Sequence, residues 1–392
     1  MNESVLSFKD KYFGDKNFYK MTLTIAIPII IQNLLTNLVS MADNIMVGQL
    51  GTNQMSGVAI INQLFFVFNL LVFGGMSGAG LFSAQYFGQK NHNGVRDVFR
   101  MKILIGITII AISLSVMIFL HEPLINMFLH EGSSSGNIQE TFNYAKNYLY
   151  IMVIGIAPFV ISNCYNTTLK ESGQTVVPMK AGVLAVVFDI VLNYIFIFGK
   201  LGFPTMGVVG AAIATVISRF VECGYLVIYT HIHSNDYPFI KHCYRTLKVP
   251  GSLVKKIIIT GAPLMLNEFL WAGGLTLQTQ ALSTKGLATV GGLNICNTIG
   301  NISNCIFVTM GTTIAIVVGQ LLGAGKLKEA KVTATRMAAF SLLISFGMII
   351  ILGLLGPVFP HFYNTTDEIR KLATKFYMGC SCCNTIYIAV KF

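Results

Sequence analysis

Five ionisable residues fall inside long apolar stretches of this 392-residue chain: Asp43, Asp189, Arg219, Glu222 and Glu268. A charged side chain at mid-membrane costs at least about 2.5–3.5 kcal/mol, so such groups face a cavity, a partner or an ion path. Asp189 and Asn193 are four apart and share one helix face. Their carboxylate and amide oxygens suit a hard cation such as Na⁺; the plainer reading is a polar contact between helices. Asp43 follows Pro28 by fifteen residues, at the outer end of a first span. A proline frees a backbone carbonyl and can bend a helix. Asp43 therefore reads as a proton or sodium site, against the alternative of a carboxylate in interfacial water. Glu268 follows Pro263 by five residues, and nothing near it on the same helix can pair with it. It reads as a cavity-facing proton or cation site, the alternative being a side chain that snorkels to the membrane edge. Arg219 and Glu222 are three apart and are expected to pair within their own helix, a structural role.

The elements that must position these residues are membrane helices. The chain is 54% hydrophobic and 11% charged, with a mean hydropathy of +0.66. A soluble chain carries about 25% charged residues. The apolar runs are continuous rather than alternating, which excludes a β-barrel. The expected fold is all-α: a polytopic bundle of ten spans near 21–43, 55–79, 98–120, 143–165, 177–199, 206–230, 254–283, 288–317, 333–356 and 369–390. Basic residues recur in alternate loops, as in Lys90, Arg96, Arg100 and Lys102, then Lys170 and Lys180, then Lys241, Arg245 and Lys248, then Lys326, Lys328 and Lys331. The positive-inside rule places these loops and the N-terminus in the cytoplasm. The formal charge of +11 thus points to a membrane face rather than to nucleic acid.

The chain also repeats itself at an offset of 235 residues, without a gap. Pro28 matches Pro263, Gly57 matches Gly292, Asn62 matches Asn297, Asn69 matches Asn304, Gln85 matches Gln320 and Gly88 matches Gly323. Internal repeats of apolar spans are how many secondary transporters are built. Six spans precede the long sixth loop, so both halves enter the membrane with the same orientation. The organisation expected is a cytoplasmic tail (1–20), an N-lobe of six helices (21–230), an inter-lobe loop (231–253) and a C-lobe of about four helices (254–392). A cavity between the lobes follows as an expectation.

Other patterns exclude more than they suggest. The eight cysteines lack zinc spacing. Gly319 to Lys326 superficially resembles a P-loop, but its glycine spacing is wrong and Leu327 stands where Mg²⁺ would need a hydroxyl. There is no His-Glu-x-x-His and no nucleophile elbow, so an enzyme is not expected. His231, His233 and His242 read as residues of a solvated loop. Asn166-Thr167-Thr168 and Asn364-Thr365-Thr366 fit a glycosylation pattern of low specificity. The polar N-terminus does not read as a cleavable signal.

Several segments together resemble the multidrug and toxic compound extrusion (MATE) transporters. They are Ala42-Asp43-Asn44-Ile45-Met46-Val47-Gly48, Ala84-Gln85-Tyr86-Phe87-Gly88, Leu169-Lys170-Glu171-Ser172-Gly173-Gln174-Thr175, Gly210-Ala211-Ala212-Ile213-Ala214-Thr215, and Val318-Gly319-Gln320-Leu321-Leu322-Gly323-Ala324-Gly325. The resemblance implies twelve helices in two six-helix lobes and antiport of drug-like, often cationic compounds against Na⁺ or H⁺. By resemblance, Asp43 is the first-helix carboxylate of an N-lobe ion site. Tyr148 and Asn163 match polar residues that line it, and Glu268 matches the seventh-helix carboxylate of a C-lobe cation site. Pro28 and Pro263 would support the two sites. Two departures stand out. The family's fifth helix often carries Asn-x-x-x-Asp, whereas Asp189 and Asn193 are in the reverse order, which moves each group by one turn. The resemblance also fades near Cys380, Cys382 and Cys383, so the last two family helices are expected to be lacking.

The reading that follows is a cation-coupled exporter of the inner membrane, multi-pass and monomeric. Its partners would be small-molecule substrates and the bilayer, with no nucleic acid. It would need no cofactor beyond the coupling ion, held at Asp43, Asp189, Asn193 and Glu268. A lipid-linked oligosaccharide flippase of a related superfamily and an inactive truncated transporter are the alternatives.

Overall fold

In the computed structural model, residues 11–129, 138–283, 287–355 and 374 are described, and all regular structure among them is helical. Eleven helices follow one another: α1 (Lys16–Gly48), α2 (Thr52–Gly88), α3 (His92–Phe119), the short α4 (His121–Asn126), α5 (Ile138–Ile154), α6 (Ile156–Glu171), α7 (Val176–Phe198), α8 (Gly207–Ile232), α9 (Gly251–Ser283), α10 (Leu287–Gly323) and α11 (Leu327–Leu355). Local chemistry fixes their ends. The Asn91 side chain accepts from the Gly94 amide at 2.9 Å and caps α3. Asp15 accepts from the Phe18 amide at 2.9 Å at the start of α1. Gly199 closes α7 in the left-handed region, at φ 64°, a conformation that glycine adopts without a Cβ penalty. Pro28 and Pro263 both lie inside helices, in α1 and α9.

Six of the described helical stretches are long and apolar enough to cross a membrane: α1, α2, α3, α7, α8 and the Asn304–Gly323 part of α10. The expected fourth span, 143–165, is not one helix. It is the pair α5 and α6, bent by 47° at Gly155. The sequence supplies the cause. Pro158 has no amide hydrogen to return to the Ile154 carbonyl, and Gly155 tightens the chain by bonding Met152 at 3.0 Å, three residues back. The spans expected at 254–283, 288–317 and 333–356 fall within α9, α10 and α11. The span expected at 369–390 lies, but for Thr374, outside the described residues, as do Asn364 and the three cysteines from Cys380 onward.

The chain divides into two compact units, Ile31–Leu266 and the remainder. In the second, Phe18, Val317 and Met337 form a small core, and Tyr19 meets Phe340 edge-on at 5.1 Å. In the first, Ile61, Phe65, Phe68, Phe99, Leu149, Tyr165 and Leu226 belong to one large core. Here α2 and α9 cross closely. A Cβ on Gly78 would lie 2.4 Å from the Gly261 Cα, so neither helix has room for a side chain there.

The segment expected as an inter-lobe loop is exposed at His231 and His242 and packed in part. Two 3₁₀ turns, Pro238–Ile240 and Cys243–Arg245, bury Tyr237, Phe239, Ile240 and Cys243 against this unit. Arg100 on α3 donates to the Cys243 carbonyl at 2.9 Å and the His242 carbonyl at 3.0 Å. Phe239 packs on Phe99, and His231 stacks on Tyr244. The glycosylation pattern at Asn166 is overturned: Asn166 is buried, and the hydroxyls of Thr167 and Thr168 serve Lys102 instead.

Lys102 is fully buried, and its ammonium bonds Thr167 at 3.0 Å, Thr168 at 3.2 Å and the Glu171 carboxylate at 2.5 Å. Gly80 makes room for that carboxylate, because a Cβ there would lie 2.4 Å from Glu171 Oε1. Breaking a buried pair from one side typically costs about 3–5 kcal/mol, whereas removing both charges can be nearly neutral. Lys102→Met is therefore expected to lower the thermal midpoint of the detergent-purified protein by several degrees. The double variant Lys102→Met with Glu171→Gln should recover most of the loss. Equal midpoints for Lys102→Met and the parent would show that the pair is not stabilising.

Candidate ion-coupling site

Three of the residues singled out from sequence meet inside the unit Ile31–Leu266. Asp43 sits five residues before the end of α1 and is partly exposed. Asp189 and Asn193 stack one turn apart on α7, 3% and 0% exposed. A single amide nitrogen joins them. Asn193 Nδ2 donates to Asp43 Oδ1 at 2.7 Å and to Asp189 Oδ2 at 3.0 Å. The two carboxylates also lie within direct electrostatic range of each other. The reversed order of Asp and Asn on α7 thus puts the donor between the acids.

A fourth residue was not foreseen. Ser218 on α8 is buried and donates to Asp189 Oδ1 at 3.1 Å. Its hydroxyl stands beside Arg219 in an otherwise apolar run, and that neighbouring charge was the available signal. The site is thus assembled from α1, α7 and α8. Small residues on α8 permit the approach: Gly210, where a Cβ would lie 2.7 Å from the Phe196 backbone carbon of α7, and the buried Ala211, Ala212 and Ala214.

The remaining residues are placed differently. Tyr148 on α5 is buried, with its phenol in electrostatic range of Arg219, Asp43 and Asp189. Asn163 turns back on its own helix, where Nδ2 donates to the Phe159 carbonyl at 2.9 Å. Pro28 is buried in α1, Pro263 is exposed on α9, and Glu268 lies partly buried on α9 in the other unit. The expected Arg219–Glu222 pair is not formed. Arg219 Nη1 instead donates to the Gly155 carbonyl at 3.4 Å, at the α5–α6 bend. Its guanidinium lies over the Phe65 and Phe159 rings at 5.3 and 5.0 Å. The two rings outcompete the i,i+3 partner, whose strongest electrostatic neighbour is Lys170.

Chemically, the cluster offers two carboxylates, one amide and one hydroxyl. The Asn193 amide oxygen is buried and has no hydrogen-bond donor among the described residues. It stands next to two acids with its lone pairs free, a donor set that fits a proton or a hard monovalent cation. No group of three His, Cys, Asp or Glu side chains suited to a transition metal occurs among the described residues.

The chain matches the MatE family profile over two stretches, residues 28–195 and 263–389, which begin at the two repeat-related prolines. It is 29% identical over 306 residues to the probable multidrug resistance protein NorM of Thermotoga maritima, covering 78% of this chain and 64% of that one. It is 27% identical over 364 residues to the probable NorM of Halalkalibacterium halodurans, covering 91% and 76%. The chain therefore spans less than two thirds of the first relative's length. In fold it is similar to the outward-facing structure of a multidrug resistance MATE transporter of the MOP superfamily, with a TM-score of 0.81, 21% identity, and coverage of 96% and 80%. Family members are transporters, not enzymes, and two profile matches that together take in most of the sequence establish the kinship: the chain is a multi-pass membrane protein of the MATE family.

Proposed function

We propose that this chain exports small, drug-like and often cationic molecules across the inner membrane, driven by inward flow of Na⁺ or H⁺. The observation that carries the reading is the Asn193 amide shared between Asp43 and Asp189. Two carboxylates so close repel unless a proton or cation comes between them. A transporter that binds such an ion more tightly in one conformation than in the other is shifted between the two by the ion gradient. The Asn193 amide oxygen and the Ser218 hydroxyl would complete the ion's oxygen shell. Glu268, on α9, serves as a second, separate ion site in this reading. The names of the relatives support a drug-like substrate. The alternating basic loops support a cytoplasmic N-terminus. The chain works as a monomer and carries no cofactor besides the coupling ion.

Ethidium efflux from cells expressing the chain, under an imposed Na⁺ or H⁺ gradient, tests the reading. Asp43→Asn keeps the shape and the hydrogen-bonding capacity but cannot ionise, and gradient-driven efflux is expected to fall at least about tenfold. Efflux that remains at the parent's rate would remove Asp43 from the coupling mechanism. A second variant separates structure from coupling. Asn193→Leu deletes the shared donor while leaving both acids, and is expected to cost about 1–3 kcal/mol of stability. Read as a lowered thermal midpoint in detergent at neutral pH, that loss should shrink when Asp43→Asn is added. Additive losses would show that the amide does not bridge the pair.

A further inference from the structure

Arg219 has a position that export, as described, does not use. It follows Ser218 on α8, the residue that bonds Asp189. It lies in electrostatic range of Asp189 and Tyr148. Yet none of the ion pairs formed among the described residues includes it. Phe65 of α2 and Phe159 of α6 hold the guanidinium between them, and the Gly155 carbonyl takes one of its hydrogens. Gly155 opens the space, since a Cβ there would come within 3.2 Å of Arg219 Cδ and 3.3 Å of Nη1. The bend between α5 and α6, the glycine and the two rings all converge on keeping one fixed positive charge near Asp189 without an ion pair to it.

We propose that Arg219 is a positioning residue of the coupling site: its charge, clamped short of contact by Phe65 and Phe159, loosens the grip of Asp43 and Asp189 on a monovalent cation so that the cation can leave. The inference rests on the reading of that pair as the cation site. Two acids with no positive neighbour would hold a cation strongly and release it slowly. An arginine in contact with them would take the cation's place. A charge held at a distance repels the cation without occupying its oxygens. Arginine suits the task because it stays protonated and its flat face stacks on aromatic rings, whereas a lysine ammonium is a compact, strongly hydrated point charge.

Equilibrium binding of ²²Na⁺ to the purified full-length chain, at fixed pH and ionic strength, reads the effect directly. Arg219→Met should bind Na⁺ about tenfold more tightly or better, because a nearby unit charge in an interior of low dielectric is worth at least that factor. Arg219→Lys keeps the charge and should stay within about threefold of the parent. Phe65→Leu with Phe159→Leu frees the guanidinium to reach Asp189, and should weaken Na⁺ binding. A residue with only a packing role would weaken binding, or leave it alone, in every variant; opposite signs are the signature of a clamped charge. The proposal is overturned if Arg219→Met binds like the parent or more weakly. It is equally overturned if neither the parent nor Arg219→Met binds Na⁺ saturably. Should Arg219→Met not fold, the ring variant decides: parent-like or tighter binding there overturns the proposal. In each of these cases the site assignment survives so long as Asp43→Asn still loses gradient-driven efflux. Saturable binding that persists in Asp43→Asn combined with Asp189→Asn sinks the site assignment itself, and the inference with it.

Discussion

An ion removed from water must be compensated where it stands, and the unit Ile31–Leu266 is organised around that constraint. Transferring a carboxylate or an ammonium into a medium of low dielectric costs several kcal/mol even after relaxation. The unit meets this cost in three ways. Lys102 is matched by a carboxylate and two hydroxyls at 2.5 to 3.2 Å. Arg100 is matched by Asp97 and by the backbone carbonyls of His242 and Cys243. Arg219 is matched by two ring faces and one carbonyl. The first two are closed arrangements in which donors and acceptors balance. Asp43 and Asp189 are different. Asn193 donates to both and Ser218 to Asp189, Arg219 stands in electrostatic range of Asp189 without pairing with it, and the Asn193 oxygen has no donor among the described residues. The Asp43–Asp189 pair is thus compensated less fully than Lys102 or Arg100.

The backbone serves the same end. At the Gly155–Pro158 break the Gly155 carbonyl, which also accepts from the Phe159 amide at 3.3 Å, receives Arg219 Nη1 at 3.4 Å. The same glycine lacks the Cβ that would press on Val216 and Arg219. Close packing of α7 on α8 through Gly210 brings Ser218 within hydrogen-bonding distance of Asp189. Close helix crossings are thus made at glycines, and polar contacts are made where those crossings bring helices together. The interior is close-packed, so a shift at one crossing is passed to the next rather than absorbed.

Much of this was legible in the chain before any coordinates. Hydropathy runs gave the helices, because lipid leaves the backbone no partner but itself. The i,i+4 spacing of Asp189 and Asn193 gave their common face. The meeting of that face with Asp43, 146 residues earlier than Asp189, needed the tertiary fold, and only the family resemblance pointed to it. One reading failed for a physical reason, and one was incomplete. Arg219 and Glu222 are at pairing distance along a helix, but local spacing cannot weigh the rings of Phe65 and Phe159, which arrive from other helices. The segment after His231 looked like a linker from its charge and histidines. Its buried aromatics Tyr237 and Phe239 sit in one short run, Tyr237-Pro238-Phe239-Ile240, too brief to show a helical period. Ser218 was missed because one hydroxyl in an apolar run is commonplace until its partner is known.

The repeat shows what was duplicated and what was not. The family profile begins again at Pro263 in the register of Pro28, so the scaffold of apolar helices, glycines and amides is common to both halves. The acids are not. At the repeat offset, Asp43 falls opposite Gln278, and Glu268 falls opposite Asn33. Each half carries a carboxylate where the other carries an amide. The two groups are close in shape and both can accept hydrogen bonds, so the exchange barely disturbs packing. Only one of them can ionise at neutral pH. The two repeats therefore offer similar frames with different chemistry at these positions. In the proposed ion-coupled cycle, that division would matter more than the symmetry. An effector shifts an equilibrium only as far as its affinity differs between the states. A carboxylate in one repeat and an amide in the other are the simplest way for a duplicated fold to make two responses differ.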